Sequence, residues 1–570
     1  MKHILIKITM LFAVICFDAN AQTALVIPDT LVGPNYTLSI HKDSVQFFPS
    51  GNISHTYAFN QYHYLGPTLI FNKGDNINVS VNNQLADTTT VHWHGIHLPS
   101  KWDGGPHTAI LSGESWYPQF TVMNNAATCW YHPHTHMKTA EQAIKGAAGL
   151  IIVRDSVEAA LTLPRKYGID DLPIVVQSQQ YNAQNQAMPL GMRDSTILVN
   201  GARANYGYSV FANCPAQVVR LRLLNASGER TFNFGLTGNM PFKIIASDNG
   251  LLDAPVNAHR IRLSPGERAE ILVNFTGMTG QFVYLMSYGS ELPMGVQGGP
   301  TMPMPMGPPM DSPLNGINYN IMRLNVVAQT PNPVTTIPTS LTANNPYSAS
   351  QSSITRTIRF TADNMMVMDG PFYFNDSTFN MMRIDYHIPL NSIEIWKLVN
   401  ETMVAHPFHL HDEHFFVLDR NGNPPPPEES GRKDVVLVAS GDTVRIITKF
   451  EDFVDPEVPF MFHCHILMHE DDGMMGQFVV TPAITSVSSP EQSNFLLYPN
   501  PVSESLYLNF KNEISAVEIH VLNILGKTVR IKNISNTDKA TLYVGDLASG
   551  VYFVQVKSNG KDYSTKFLKK

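Results

Sequence analysis

The chain is short of cysteine, of positive charge and of long apolar runs. Cysteine occurs only four times in 570 residues. Lys and Arg number 39 against 47 Asp and Glu, a formal charge of -8, and the pI is near 6.2. No basic surface is therefore available for a phosphate backbone, which argues against DNA or RNA as partner. Beyond the N-terminus no stretch approaches the roughly 20 apolar residues of a membrane-spanning helix, so the mature protein is expected to be soluble.

What is present belongs to a folded all-β protein. Hydrophobic residues make up 43% and charged residues 15%, outside the disordered and fibrous ranges. The 39 Pro and 37 Gly imply many turns between short strands. A prior of about 100 to 200 residues per domain suggests three or four domains.

The N-terminus reads Met1-Lys2-His3, then an apolar run from Ile4 to Phe17 interrupted by Lys7, then Asp18-Ala19-Asn20-Ala21 before Gln22. A charged start, an apolar run and an Ala-x-Ala ending make residues 1–21 a secretory signal peptide. Cys16 as a lipid-attachment site is disfavoured, because Val14-Ile15 supplies no small residue before it. Export leaves Cys129, Cys214 and Cys464, of which the first two could pair in an oxidising compartment.

An internal repeat organises the rest. Gly74-Asp75 with Ile77, Val79 and Val81 runs towards His92; Ala216 with Val218 and Leu221 runs to Leu223-Leu224-Asn225; Ser392 with Ile393, Ile395 and Trp396 runs to Leu398-Val399-Asn400 and then His406. Each is an alternating strand followed by a polar turn. A second unit keeps the same period: Gly113-Glu114, Gly266-Glu267 and Gly441-Asp442 each precede an apolar strand. Three copies of one Greek-key β-sandwich are predicted, over 22–158, 159–335 and 345–485. A shorter sequence of alternating strands, 495–570, predicts a small C-terminal β-sandwich.

Four His-x-His pairs stand out: His92 and His94, His132 and His134, His409 and His411, His463 and His465. Residues two apart on a strand share a face, so each pair can offer two imidazoles to one side. One pair is commonly a structural feature. Four pairs confined to the first and third repeats have no explanation in core packing, and a metal site fits. Around Cys464 lie His406, His469 and Met474. Two imidazoles, a thiolate and a thioether make a blue-copper donor set, whereas structural zinc closes its tetrahedron without Met. Cys464 points away from the face of His463 and His465. One thiolate thus touches the mononuclear metal while its neighbours reach the eight-histidine cluster, a short covalent route for electrons. The reaction expected is one-electron oxidation of a substrate coupled to four-electron reduction of dioxygen to water.

These motifs resemble those of multicopper oxidases: His92-Trp93-His94-Gly95, Cys129-Trp130-Tyr131-His132-Pro133-His134, His406-Pro407-Phe408-His409-Leu410-His411, and His463-Cys464-His465 through His469 to Met474. The resemblance implies cupredoxin-like domains and four copper ions. It makes His406, Cys464, His469 and Met474 ligands of a type 1 copper and His92 and His409 ligands of a type 2 copper. His94, His132, His134, His411, His463 and His465 would hold a type 3 pair. The sequence is most similar to the bacterial three-domain branch of laccase-like enzymes and copper-efflux oxidases. That branch implies proton relay by Asp103, in Trp102-Asp103-Gly104-Gly105-Pro106, and by Glu470, a task suited to carboxylates. The tail, with Leu497-Tyr498-Pro499-Asn500-Pro501, Asn523-Ile524-Leu525-Gly526-Lys527 and Leu547-Ala548-Ser549-Gly550-Val551-Tyr552, resembles the C-terminal sorting domain of type IX secretion cargo. It implies that secretion machinery as a partner, with a secreted or cell-surface location.

Thr402 to Ala405 precede His406 without the carboxylate and thioether that hold an extra Cu(I) in copper-efflux oxidases. Met294, Met302, Met304, Met306 and Met310 form a Met-rich loop, joined in the third repeat by Met365, Met366 and Met368, that either gathers Cu(I) or covers apolar surface. His97, His107, His136 and His414 lie near ligands and are read as their neighbours. Three functions compete: oxidation of phenols or similar reductants; oxidation of Cu(I), Fe(II) or Mn(II); and, least favoured, copper binding without catalysis.

Overall fold

The computed structural model describes residues 21–570 except 190–192, 206–207, 302–311, 365–369, 483–494, 515–516, 525 and 559–560. Residues 1–20 of the expected signal peptide, Met302 to Met310, and Met365, Met366 and Met368 lie outside the described residues. The chain divides into two compact units, Met1–Pro482 and Ala483–Lys570. No helix among the described residues is long and apolar enough to cross a membrane.

The first unit contains three pairs of sheets, each pair closed over one core. In the first pair, Leu69, Phe71 and Ile151 of a four-stranded sheet meet Leu38, Ile40, Val79 and Val81 of its partner. The second pair is the largest, with sheets of six and eight strands around Leu221, Phe234, Ile271 and Leu324. The third has two five-stranded sheets around Trp396, whose ring meets Phe462 edge-on at 5.4 Å. The cupredoxin-like, all-β expectation holds.

The repeat has a shared physical cause. Asn83, Asn225 and Asn400 are buried at equivalent corners. Each donates its side-chain amide to two backbone carbonyls: Asp87 and Ile110, Arg230 and Leu263, Val404 and Val438. Each also accepts from the backbone N–H two residues on, at 2.9 to 3.0 Å. The backbone of each Asn exchanges hydrogen bonds with the Gly-Glu or Gly-Asp turn of its own copy, Gly113-Glu114, Gly266-Glu267 and Gly441-Asp442. One Asn therefore satisfies the polar groups of a strand end that apolar packing would otherwise orphan.

One expectation is corrected, and the pairing that the sequence left open is decided. Ala21–Ala24 pairs in parallel with Tyr208–Pro215, and Leu25 enters the second core, so the segment from residue 22, expected to open the first sandwich, starts in the second. Exposed Gln22, Thr23 and Ala24 carry no alternation that could have shown this. Cys129 and Cys214 are both free thiols, because one lies in the first core and the other in the second.

Four strands and two helices carry the residues that matter below. They are β1 (Ala127–Tyr131), β2 (Arg268–Asn274), β3 (His406–Leu410), β4 (Asp455–Cys464), α1 (Thr139–Ile144) and α2 (Leu467–Asp471). In the second unit, a three-stranded and a four-stranded sheet close over Leu506, Leu508, Ile519, Val521, Val554 and Phe567, the small β-sandwich expected of the tail.

Candidate metal centres

Strand parity sorts the donors. β3 and β4 run antiparallel, with His409 opposite His463 and Phe408 opposite Cys464. Side chains alternate along a strand, so Phe408, Leu410 and Cys464 enter the third core. His409 and His463 face outward, and His411 and His465 continue that face. In the first sandwich Cys129 and Tyr131 of β1 take the core, as do Val91 and Trp93. His132, His134, His92 and His94 are left on the opposite side. Each of the eight rings is at most 1% exposed, because the two outward faces are pressed together.

In the third core, Cys464 Sγ lies 3.5 Å from His406 Nδ1 and 3.7 Å from His469 Nδ1. Met474 is fully buried, and its carbonyl accepts the Cys464 N–H at 3.0 Å. Phe372 covers both imidazoles, at ring distances of 4.7 and 4.5 Å. The far nitrogen of His406 meets the Thr402 hydroxyl at 2.9 Å.

At the seam the rings converge in three groups: His92, His94 and His409; His94, His132 and His465; His134, His411 and His463. Six of the eight outer nitrogens are engaged, and those of His134 and His465 are not. His92, His132, His409 and His463 donate from Nδ1 to the carbonyls of Asp103, Pro133, Asp434 and Cys464, at 2.8 to 3.0 Å. A carbonyl only accepts, so each of these four presents a bare Nε2 inward. His411 is fixed the same way by Asp103 Oδ2 at 2.7 Å.

His92 and His409 therefore face each other at 3.5 Å, and His411 and His463 at 3.1 Å, with no proton between either pair. An unsatisfied buried acceptor costs about 1 to 3 kcal/mol, and a cation between the rings would satisfy all of them. His94 is turned round: Nε2 meets Asp434 Oδ1 at 3.1 Å, and Nδ1 faces His465 and His132 at 3.3 and 3.5 Å. All-imidazole and imidazole-thiolate donor sets suit copper.

Burial favours the neutral, donating form of the rings named next. It lowers His465 and His469 to about 3 and, helped by His92, His411 to about 4. It also pushes His94, His132, His134, His406, His409 and His463 well below the ordinary value. The Cys464 thiol is pushed up by the same burial, a cost that coordination to a cation reverses.

Two carboxylates flank the cluster. Burial pushes Asp103 up, but His411 and His92 outweigh it and hold it below the usual range. Glu470 goes the other way: burial first, then the Asp471 charge, raises it well above the ordinary value. Its two oxygens lie 3.3 Å from His134 Nδ1 and 3.2 Å from His463 Nδ1, and neither makes a well-formed hydrogen bond. Asp471 accepts from the Thr139 and Ala140 N–H groups at the start of α1, tying α2 to the first sandwich.

The neighbouring histidines have other partners. His97 pairs with Asp412 at 2.7 Å, His107 with Gln477 at 2.8 Å and His414 with the Gly95 carbonyl at 3.0 Å, while His136 packs on Phe379. Asp434, Asp471 and the bond of Thr402 to His406 escaped sequence reading. The polar pair Lys433-Asp434 just before the apolar run Val435–Val438 was the available signal for one of them.

Multicopper oxidase models match residues 43–158, 172–302 and 336–483, and a secretion system C-terminal sorting domain model matches 496–570. A multicopper oxidase of Staphylococcus haemolyticus is 33% identical over 456 residues, covering 78% of this chain and 88% of the relative. The chain belongs to the multicopper oxidase family. The oxidase is also 31% identical to a cell division protein, FtsP, of Xenorhabdus nematophila, over 74% of this chain and 84% of that one. Among solved structures it resembles a laccase-like multi-copper oxidase from the lignin-degrading bacterium Ochrobactrum sp., with a TM-score of 0.70 and 33% identity. That match covers 80% of this chain and 100% of the other. The protein is thus an oxidoreductase with copper cofactors, a reducing substrate and dioxygen as its reactants, and it carries a sorting domain.

Proposed function

We propose that the oxidase takes single electrons from a small phenolic or similar reductant at a type 1 copper held by His406, Cys464, His469 and Met474. It delivers them to a type 2 and a type 3 pair held by the eight seam histidines, where dioxygen becomes water. The carrying observation is the parity of β4. The Cys464 sulfur sits with His406 and His469 inside the third sandwich, while the residues bonded to it on either side put their rings into the seam. Copper, when bound, supplies the one-electron chemistry and the dioxygen-reducing centre.

The chain's own residues supply order and protons. Thr402 and Phe372 hold His406 in place, and Phe372 also covers His469, excluding water from the thiolate. Two peptide links, from Cys464 to His463 and to His465, form the covalent path between the sites. Glu470, held protonated by burial and lying beside the Nδ1 atoms of His134 and His463, is suited to give a proton to reduced oxygen. Asp103, held ionised against His411, fixes that ring.

An organic reductant is favoured over Cu(I) because a hydroxyl, Thr402, stands against the type 1 histidine where an extra Cu(I) would need a carboxylate. The Ochrobactrum relative, with its oxidase activity towards lignin model compounds, supports the same choice. The signal peptide and the sorting domain together support export across both membranes to the surface or medium. Cys464→Ser is expected to abolish the blue colour and all turnover while sparing the fold by circular dichroism. Continued oxidase activity in that variant would defeat the electron path.

A further inference from the structure

The second sandwich supplies none of the proposed ligands, yet one of its fully buried arginines is aimed at them. We propose that Arg268, the first residue of β2, is a positioning residue for the histidine cluster: it clamps Asp434 in the one orientation that fixes the His94 ring. This rests on the proposed copper assignment and adds the second sandwich to the working parts of the site.

Arg268 is 1% exposed, and all five of its N–H groups are used. NH1 and NH2 hold the two Asp434 oxygens at 2.5 and 2.7 Å, a bidentate pair. Nε donates to the Thr128 carbonyl in β1 at 3.0 Å, NH1 also to the Gly266 carbonyl at 3.1 Å, and NH2 also to the Asp248 carbonyl at 2.9 Å. The guanidinium thus has no freedom to turn, and it joins all three sandwiches. Asn249 completes the grip, donating to Asp434 Oδ2 at 2.6 Å.

Held this way, Asp434 serves two stacked rings. Its Oδ1 meets His94 Nε2 and its carbonyl accepts from His409 Nδ1, and the rings lie 3.8 Å apart at an interplanar angle of 6°. His94 depends on the clamp most. It presents Nδ1 to the cluster, so its proton must stay on Nε2, and Asp434 is the acceptor found there. A carboxylate free to rotate would leave the ring and its tautomer unfixed.

Backbone packing points the same way. Gly95, at φ +88°, faces the pair so closely that a Cβ would lie 2.5 Å from Arg268 NH2 and 2.8 Å from Asp434 Oδ2. Gly266, at φ +83°, lies against the His465 ring, where a Cβ would come within 2.8 Å. Only glycine tolerates both the conformation and the approach.

The test uses the full-length, copper-loaded protein. Arg268→Lys keeps the buried charge, but one ammonium cannot grip two oxygens in a plane. The expected result is an unchanged blue band, less copper per chain by elemental analysis, and an altered electron paramagnetic resonance signal from the non-blue copper. Oxygen uptake should fall about tenfold or more, the usual effect of losing a partner behind a metal ligand.

Asn249→Ala removes a neutral donor to the same carboxylate and should shift that signal in the same direction by less, which keeps the test open if Arg268→Lys folds poorly. Wild-type copper content and an unchanged signal in the folded variants would overturn the proposal, and any loss of stability would then mark Arg268 as merely structural. A wild-type chain that holds no seam copper would instead overturn the proposed function itself.

Discussion

The two candidate copper sites are built in opposite ways. The mononuclear one is internal to the third sandwich, its donors falling between His406 and Met474 around a single apolar core. The eight-histidine cluster belongs to no sandwich. It draws four rings each from the outward faces of the first and third, and its Asp434 support is gripped by an arginine of the second. A site inside one core can form when that sandwich folds. A site on a seam exists only after the sandwiches have docked, and two of its rings, His94 and His411, are steadied by carboxylates of the facing sandwich, Asp434 and Asp103.

Glu470→Gln should separate the sites most sharply. Removing the buried acid is expected to lower steady-state oxygen uptake about 100-fold, within the usual range for general acid catalysis, while anaerobic bleaching of the blue band by substrate keeps its rate. Equal slowing of both would mean that Glu470 serves the two sites alike, and the comparison would fail.

Acidity gives a middle-sized effect on the metal-free chain. His411, His465 and His469 titrate near 4, 3 and 3 when folded, against about 6.5 when unfolded. Below about pH 6.5 the unfolded chain binds more protons than the folded one, so stability is complete above that value and declines as pH falls towards 3. Urea midpoints of metal-free protein should therefore drop between about pH 7.5 and pH 5. A flat profile would show that the rings are wetter than their burial implies.

Thr402→Val should have the smallest effect. Losing one hydrogen bond to His406 Nε2 is worth about 1 kcal/mol, so copper should leave the mononuclear site about fivefold faster under chelation, with cluster copper retained. Loss from both sites at equal rates would show that they are coupled.

Much of this was legible in the sequence because it is local. Alternation placed the strands, and the two-residue spacing of the histidine pairs put both rings of each pair on one face. The contrast between Cys464 and its neighbours is a parity statement that needs no coordinates. What escaped is tertiary. Arg268 and Asp434 lie 166 residues apart, and each alone reads as an ordinary charge near a strand end. A clue was nonetheless present: where the other two copies of the Gly-Glu or Gly-Asp turn continue with Ser115 and Thr443, this one carries Arg268 into an apolar strand. The exposed first strand was invisible for the opposite reason, since it is held by backbone pairing alone.

The most direct test of a two-site oxidase is oxygen uptake by the purified, copper-loaded protein, supplied in turn with a phenol and with Cu(I) and followed together with the amount of substrate oxidised. The account predicts faster uptake with the phenol, four substrate electrons consumed per dioxygen, and no hydrogen peroxide. Uptake with neither reductant, or two electrons per dioxygen with peroxide released, would contradict it.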